Sequence, residues 1–206
     1  MKLVFDILIT AFFIIFFSYS SAQTSSVYKN DYIPLAVGNK WYYNVHTLNS
    51  EVGSEISITS EIVGIEIIEG KKYFKIKHEN ANAKFPAYYY HQRMSNDTLY
   101  TLNYEEKYSQ YFERVTAIFT LDSGEVAFVE LPRTDLTLKY ESEGLPTGRR
   151  YSIKVLNKDE NSIELFTNSG MIDGDITEIY KKGVGMTKSK NDWGVVIELI
   201  DYEFSK

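Results

Sequence analysis

The sequence predicts a mainly β protein: an antiparallel meander forming a curved sheet or open barrel, preceded by a helical signal peptide. Three observations carry that expectation. The 206-residue chain holds 17 tyrosines, a residue that suits a pleated, half-buried surface where the ring packs and the hydroxyl reaches water. Runs that alternate apolar and polar residues recur at near-regular spacing, with Gly, Asn, Asp or Ser between them. No helical segments alternate with these runs, which excludes a Rossmann-type or α/β-barrel arrangement.

In chain order, Lys2 precedes an apolar run from Ile7 to Phe17 broken only by Thr10, and Ser20-Ser21-Ala22 follows. A positive start, a short apolar core and small residues before a cleavage point make a secretion signal over 1–22. The run is shorter than the roughly 20 apolar residues a bilayer span needs. The expected mature protein is therefore one β-rich domain over 23–206, with no membrane span.

Trp41 to His46 reads as a strand, and so does Glu55 to Val63, where Ile56, Ile58 and Ile62 share one face. Ile65 to Ile68 and Lys72 to Lys77 flank Glu69-Gly70-Lys71, a hairpin signal. Tyr88 to Met94 and Thr98 to Leu102 flank Ser95-Asn96-Asp97 and make a second hairpin. Tyr104, Tyr108, Tyr111, Phe112, Val115 and Ile118 recur at helical spacing, yet 115–120 is rich in β-formers. A strand over Tyr111 to Leu121 is the reading adopted, with a short helix at its start as the alternative. Further strands are expected at Val126 to Leu131, Thr137 to Glu141, Tyr151 to Leu156, Ser162 to Thr167, Ile176 to Tyr180, Gly185 to Lys190 and Trp193 to Phe204.

Composition narrows the function. A net charge of −6 with dispersed lysines gives no footprint for nucleic acid and disfavours anionic headgroups. The chain has no cysteine, so thiol chemistry and a lipid carried on cysteine are both outside its reach. A domain of this size buries about 70% of its unfolded surface and needs no disulfide. The expected location is exported: periplasmic, cell-surface or extracellular, and not a lipoprotein.

Four stretches resemble a group of exported, uncharacterised β-rich proteins common in Bacteroidota. Pro34-Leu35-Ala36-Val37-Gly38-Asn39-Lys40-Trp41-Tyr42-Tyr43 resembles their "PL-x-VGN-x-W-x-Y" opening. Gly70 to Ile76 is similar to their "GKKYYKV", Ile118 to Glu125 to their "YDF-x-L-x-x-GD", and Tyr180 to Lys188 to their "Y-x-x-GVGLVK". A tryptophan often found after that "GD" is absent here, where Val126-Ala127-Phe128 follows. The resemblance implies an antiparallel β fold and no defined activity or catalytic residue.

No residues suggest an enzyme. The chain has no Gly-x-Ser-x-Gly elbow, and its carboxylates are scattered. His46, His78 and His91 stand singly and read as surface or edge imidazoles, with no metal implied. Asp173-Gly174-Asp175 with Glu178 holds only the first fragment of a calcium loop and reads as a turn. Gly183-Val184-Gly185 reads as glycines permitting a bend or bulge. No cofactor is expected.

The opening motif reads first as structure: Pro34 sets an extended segment, Gly38-Asn39 turns, and Trp41 enters the core. The function expected is a non-enzymatic exported β protein that binds a small ligand or protein partner in the cell envelope. An aromatic concave face would do this, with Trp41, Tyr43, Tyr88, Tyr90 and Tyr100 as candidates. The alternatives are a structural or assembly component acting by surface contact, or a glycan-binding or glycan-hydrolysing domain.

Overall fold

A computed structural model describes residues 28–29, 31–48, 56–81, 86–105, 110–131, 150–169 and 174–205. The apolar run 7–17 and the expected strand Thr137 to Glu141 lie outside the described residues. Alternation of apolar and polar residues builds fourteen described strands. β1 (Tyr28–Lys29) and β2 (Pro34–Leu35) form a small antiparallel pair. The others are β3 (Lys40–Thr47), β4 (Ile56–Ile68), β5 (Lys71–Asn80), β6 (Tyr88–Ser95), β7 (Thr98–Glu105) and β8 (Gln110–Ile118). They continue with β9 (Val126–Glu130), β10 (Arg150–Lys158), β11 (Ser162–Asn168), β12 (Ile176–Lys181), β13 (Gly185–Asn191) and β14 (Val195–Glu203).

β3 to β14 make one twelve-stranded antiparallel sheet in the order β8-β7-β6-β5-β4-β3-β14-β13-β12-β11-β10-β9. Two meanders thus run outward from the β3–β14 pair, which joins the start of the chain to its end. The sheet curls until its two ends nearly meet, giving an almost closed barrel. Across that seam, the Tyr151 hydroxyl on β10 donates to the Val115 carbonyl on β8 at 2.8 Å, and the Arg114 guanidinium lies 4.7 Å from the Tyr151 ring. Lys158 Nζ donates to the Phe119 and Leu121 carbonyls at 3.2 and 2.8 Å.

The hairpins follow their turn chemistry. Glu69 and Gly70 between β4 and β5, and Asn96 and Asp97 between β6 and β7, all have positive φ. Two central residues in that region match the twist of a tight hairpin. The 104–118 region resolves in favour of strand: β7 runs on through Glu105, and Tyr104 pairs with Tyr111 on β8. The helix alternative fails for Tyr104, Glu105 and 110–118, whose helical spacing is coincidental. The strand expected from Trp193 begins instead at Val195, with Trp193 exposed in the turn.

One end of the barrel is capped. Asp31 to Asn39 crosses it and buries Tyr32, Ile33 and Leu35 in the core. Tyr32 stacks on Phe119 at 5.0 Å, and Phe119 meets Tyr180 edge-on at 5.2 Å. A turn closed by Asn39 N–H donating to the Ala36 carbonyl places Gly38 at φ +92°, a conformation that favours glycine. Asn39 is buried and ties the cap down: its Nδ2 donates to the Pro34 carbonyl at 2.7 Å, and its Oδ1 accepts from Ser205 N–H at 2.9 Å. The first and last parts of the described chain meet through one side chain.

Candidate functional site

Inside the barrel the two meanders differ. On β10 and β11 the inward positions Ile153, Val155, Ile163 and Leu165 are apolar and fully buried. On β4 to β8 the inward positions include Ser60, His78, Tyr90, Gln92, Thr101 and Thr116; Ser60 pairs with His78, Gln92 pairs with Thr101, and the Thr101 and Thr116 hydroxyls lie 2.7 Å apart. A cavity of about 210 Å³ remains in the lumen. Ile33, Leu35, Trp41, Tyr43, Ile76, Leu99 and Met186 give it apolar wall; Ser60, Tyr90, Gln92, Thr116, Glu178 and Tyr180 give it polar wall. The volume falls below the roughly 300–1,000 Å³ of drug-sized sites.

Glu178 lies on β12 between Ile176 and Tyr180, and all three share a face by strand alternation. The residue is half-buried, and its side chain borders the cavity. The Tyr180 hydroxyl donates to Oε2 at 2.9 Å. Burial pushes the Glu178 pKa up to about 7, against the Tyr180 bond and the Arg114 charge, which both pull it down. Burial likewise raises the phenols of Tyr43, Tyr90 and Tyr180, so all three stay neutral donors. The Tyr43 hydroxyl donates to the Met186 carbonyl at 3.2 Å.

Of the expected aromatic residues, Trp41, Tyr43 and Tyr90 line the cavity. Trp41 is fixed by donating Nε1–H to the Val184 carbonyl at 2.6 Å. A Cβ on Gly185 would stand only 3.1 Å from that same nitrogen, so the Gly-Val-Gly stretch is the seat of the tryptophan ring. Tyr88 shares the inward face but lies outside the cavity wall; its ring is 56% exposed and packs 4.6 Å from His78 and 6.2 Å from Tyr90. Tyr100 pairs with Arg93 and faces the other way, its ring 4.1 Å from the Arg93 guanidinium.

The histidines differ from the expected surface imidazoles. His78 Nδ1 lies 3.0 Å from Ser60 Oγ inside the wall, and burial lowers its pKa. His91 Nε2 lies 2.8 Å from Glu66 Oε2, with the His91 side chain largely covered. His46 pairs across to Val196, and the three are not brought together. No group of three metal-ligating side chains occurs among the described residues. Asp175 Oδ1 accepts from Ser169 N–H at 3.0 Å, as a turn residue does, while Glu178 points into the barrel.

The residues missed as site candidates were Glu178, Tyr180, Gln92, Ser60 and Thr116. Glu178 carried a readable signal: it is a carboxylate at the same parity as Ile176 and Tyr180, on the apolar face of its strand. The arrangement is a small, partly open cavity whose described wall carries one carboxylate and three tyrosine hydroxyls. Among the described residues Glu178 is the only carboxylate in that wall, so no pair of described carboxylates of the kind used in glycoside hydrolysis lines it.

The fold and cavity define a nearly closed all-β barrel with a pocket of mixed apolar and polar lining in its lumen. No family model matches the chain, and no curated protein matches it. Two solved structures are similar in fold. A candidate exported protein with a YmcC-like fold from Bacteroides fragilis is 10% identical, with a TM-score of 0.43 over 85% of this chain and 100% of that one. A candidate lipoprotein from Parabacteroides distasonis is 9% identical, with a TM-score of 0.40 and the same coverage. Among the described residues no helix is long and apolar enough to cross a membrane.

Proposed function

We propose that this chain is a non-enzymatic exported β protein that holds a small ligand within its barrel. The observation that carries the reading is the cavity of about 210 Å³ lined by Trp41, Tyr43, Tyr90, Tyr180 and Glu178. Aromatic walls with a few placed polar groups are the usual make-up of a small-molecule site. Export follows from the apolar run after Lys2 and the small residues before Gln23, and the domain is 23–206. Its place is the periplasm, the cell surface or the exterior. With no cysteine in the chain, cysteine lipidation does not hold it at a membrane.

Native mass spectrometry of protein purified from its own host tests this. A small molecule should remain bound under gentle ionisation, and its occupancy should fall in a Tyr90→Ala variant that keeps its β circular-dichroism signal. Exclusively ligand-free protein at every gentle setting counts against the reading.

A second reading rests on a different observation. Phe128 on the terminal strand β9 is 88% exposed, and Val126, two residues along the same strand face, is exposed as well. Such a patch favours an assembly role through surface contact. A concentration-dependent mass in sedimentation that Phe128→Ser abolishes supports that alternative.

A further inference from the structure

We propose that the lumen cavity takes a small organic cation, an amphipathic amine whose ammonium sits on Glu178 and whose apolar body lies against Trp41, Tyr43 and Tyr90. This rests on the reading of the cavity as a ligand site and names the class of ligand.

Charge is the first argument. Among the described residues Glu178 is the only one in the wall with a formal charge, and no described Lys, Arg or His lines the cavity. Arg114 also points inward, since it pairs with Thr101, but it is held over the Tyr151 ring and makes no ion pair with Glu178. An anionic guest would meet a carboxylate and no cation in the wall.

Hydrogen bonding is the second. Glu178 Oε2 accepts from Tyr180, while Oε1 receives no donor among the described residues. Gln92 Nε2 donates to Thr101 Oγ1 at 3.2 Å, and its own carbonyl oxygen receives no donor among them either. The wall therefore offers acceptors in want of donors, and an ammonium brings three donors and no acceptor. A guest that brings donors to these acceptors gains hydrogen bonds that the wall does not itself make.

Shape is the third. Trp41, Tyr43, Tyr90 and Tyr180 share the cavity wall with the carboxylate, and electron-rich ring faces attract a cation, more strongly where water is excluded. The small volume limits the guest to a few carbons. The groups that set the charge state are Glu178 and Tyr180 on β12, Tyr43 on β3, Tyr90 on β6 and Arg114 on β8. Of these, only Glu178 titrates near neutrality. A bound ammonium restores its ionised form, offsetting the burial that pushes its pKa to about 7.

The test compares three probes of one chain length, n-butylammonium, butan-1-ol and butyrate, by calorimetry at pH 8 on the full chain as exported. Butylammonium should bind about tenfold or more tighter than butanol, with butyrate weakest. In Glu178→Gln it should fall to the level of butanol. Preference for butanol or butyrate overturns the cation assignment and leaves the cavity as a ligand site. No binding of any probe at about 10 mM overturns both. Should Glu178→Gln not fold, the ¹³C carboxyl titration of Glu178 in the unaltered protein decides: saturating butylammonium should lower its midpoint by about one pH unit, and an unchanged midpoint overturns the assignment.

Discussion

Glu113 and Glu178 are both carboxylates partly or wholly enclosed by the same sheet, and they are bonded in opposite ways. Glu113 lies on the outer face of β8. It accepts from Arg93 Nε at 2.6 Å and Nη2 at 3.1 Å, from the Tyr73 hydroxyl at 2.5 Å, and from Lys71 Nζ at 2.9 Å. Burial alone would raise its pKa, but those bonds outweigh it and hold the carboxyl at about 2. Glu178 faces the lumen with one hydrogen bond among the described residues, and burial prevails. The first carboxylate is fully bonded within the protein; the second borders a cavity.

The comparison breaks most visibly at Glu113. Glu113→Ala leaves the Arg93 guanidinium without its carboxylate, and should cost about 3 kcal/mol in urea melts at pH 7. The bonds favour the ionised form, so this contribution is present above the ordinary carboxyl value of 4.5 and is lost as pH falls through about 2.

Glu178 should behave in reverse. Its folded pKa lies above 4.5, so between those values the folded state binds more protons than the unfolded one, and stability falls as pH rises. Glu178→Gln should be near neutral at pH 4 and stabilise the ligand-free protein by about 2–3 kcal/mol at pH 8. A uniform destabilisation across that range would mean that Glu178 is as well bonded as Glu113.

Smaller changes sharpen the contrast. Tyr180→Phe removes the one donor to Glu178, and should cost about 1 kcal/mol while raising the Glu178 midpoint further. Lys71→Ala removes the most exposed of the donors to Glu113, its side chain 49% accessible. That should cost less than about 1 kcal/mol, since solvent and salt screen such a pair. Loss of Lys71 rivalling loss of Glu113 itself would contradict the assignment of the network's strength to Arg93 and Tyr73.

Much of the barrel was legible because β structure writes itself locally. Alternation located the strands, and Gly70 and Asn96-Asp97 marked hairpins that fold as tight turns. The opening motif was rightly read as structure, but its reach was hidden: Asn39 meets Ser205 across 166 residues, and no local pattern records that. Trp41, Phe119 and Gly185, each in a stretch that carries the family resemblance, gather toward the capped end. Those stretches supply cavity wall as well as cap: Leu35, Trp41, Tyr43, Ile76, Tyr180, Gly185 and Met186 all line the cavity.

The cavity was only half legible. Trp41, Tyr43 and Tyr90, chosen from aromaticity and alternation, line it. Tyr100 was misplaced, although the turn at Asn96-Asp97 sets Ser95 opposite Thr98 and so Arg93 opposite Tyr100. Counting register from that turn would have sent Tyr100 outward. Glu178 was absorbed into a local acidic cluster because sequence proximity to Asp175 was weighed above strand parity.

The most direct test of the contrast is a ¹³C titration of the side-chain carboxyls of both glutamates in ligand-free protein. The account predicts a Glu178 midpoint near 7 and a Glu113 midpoint near 2. Two midpoints together near 4.5 would contradict it, leaving Glu178 an ordinary solvated carboxylate and the cavity without an anchor.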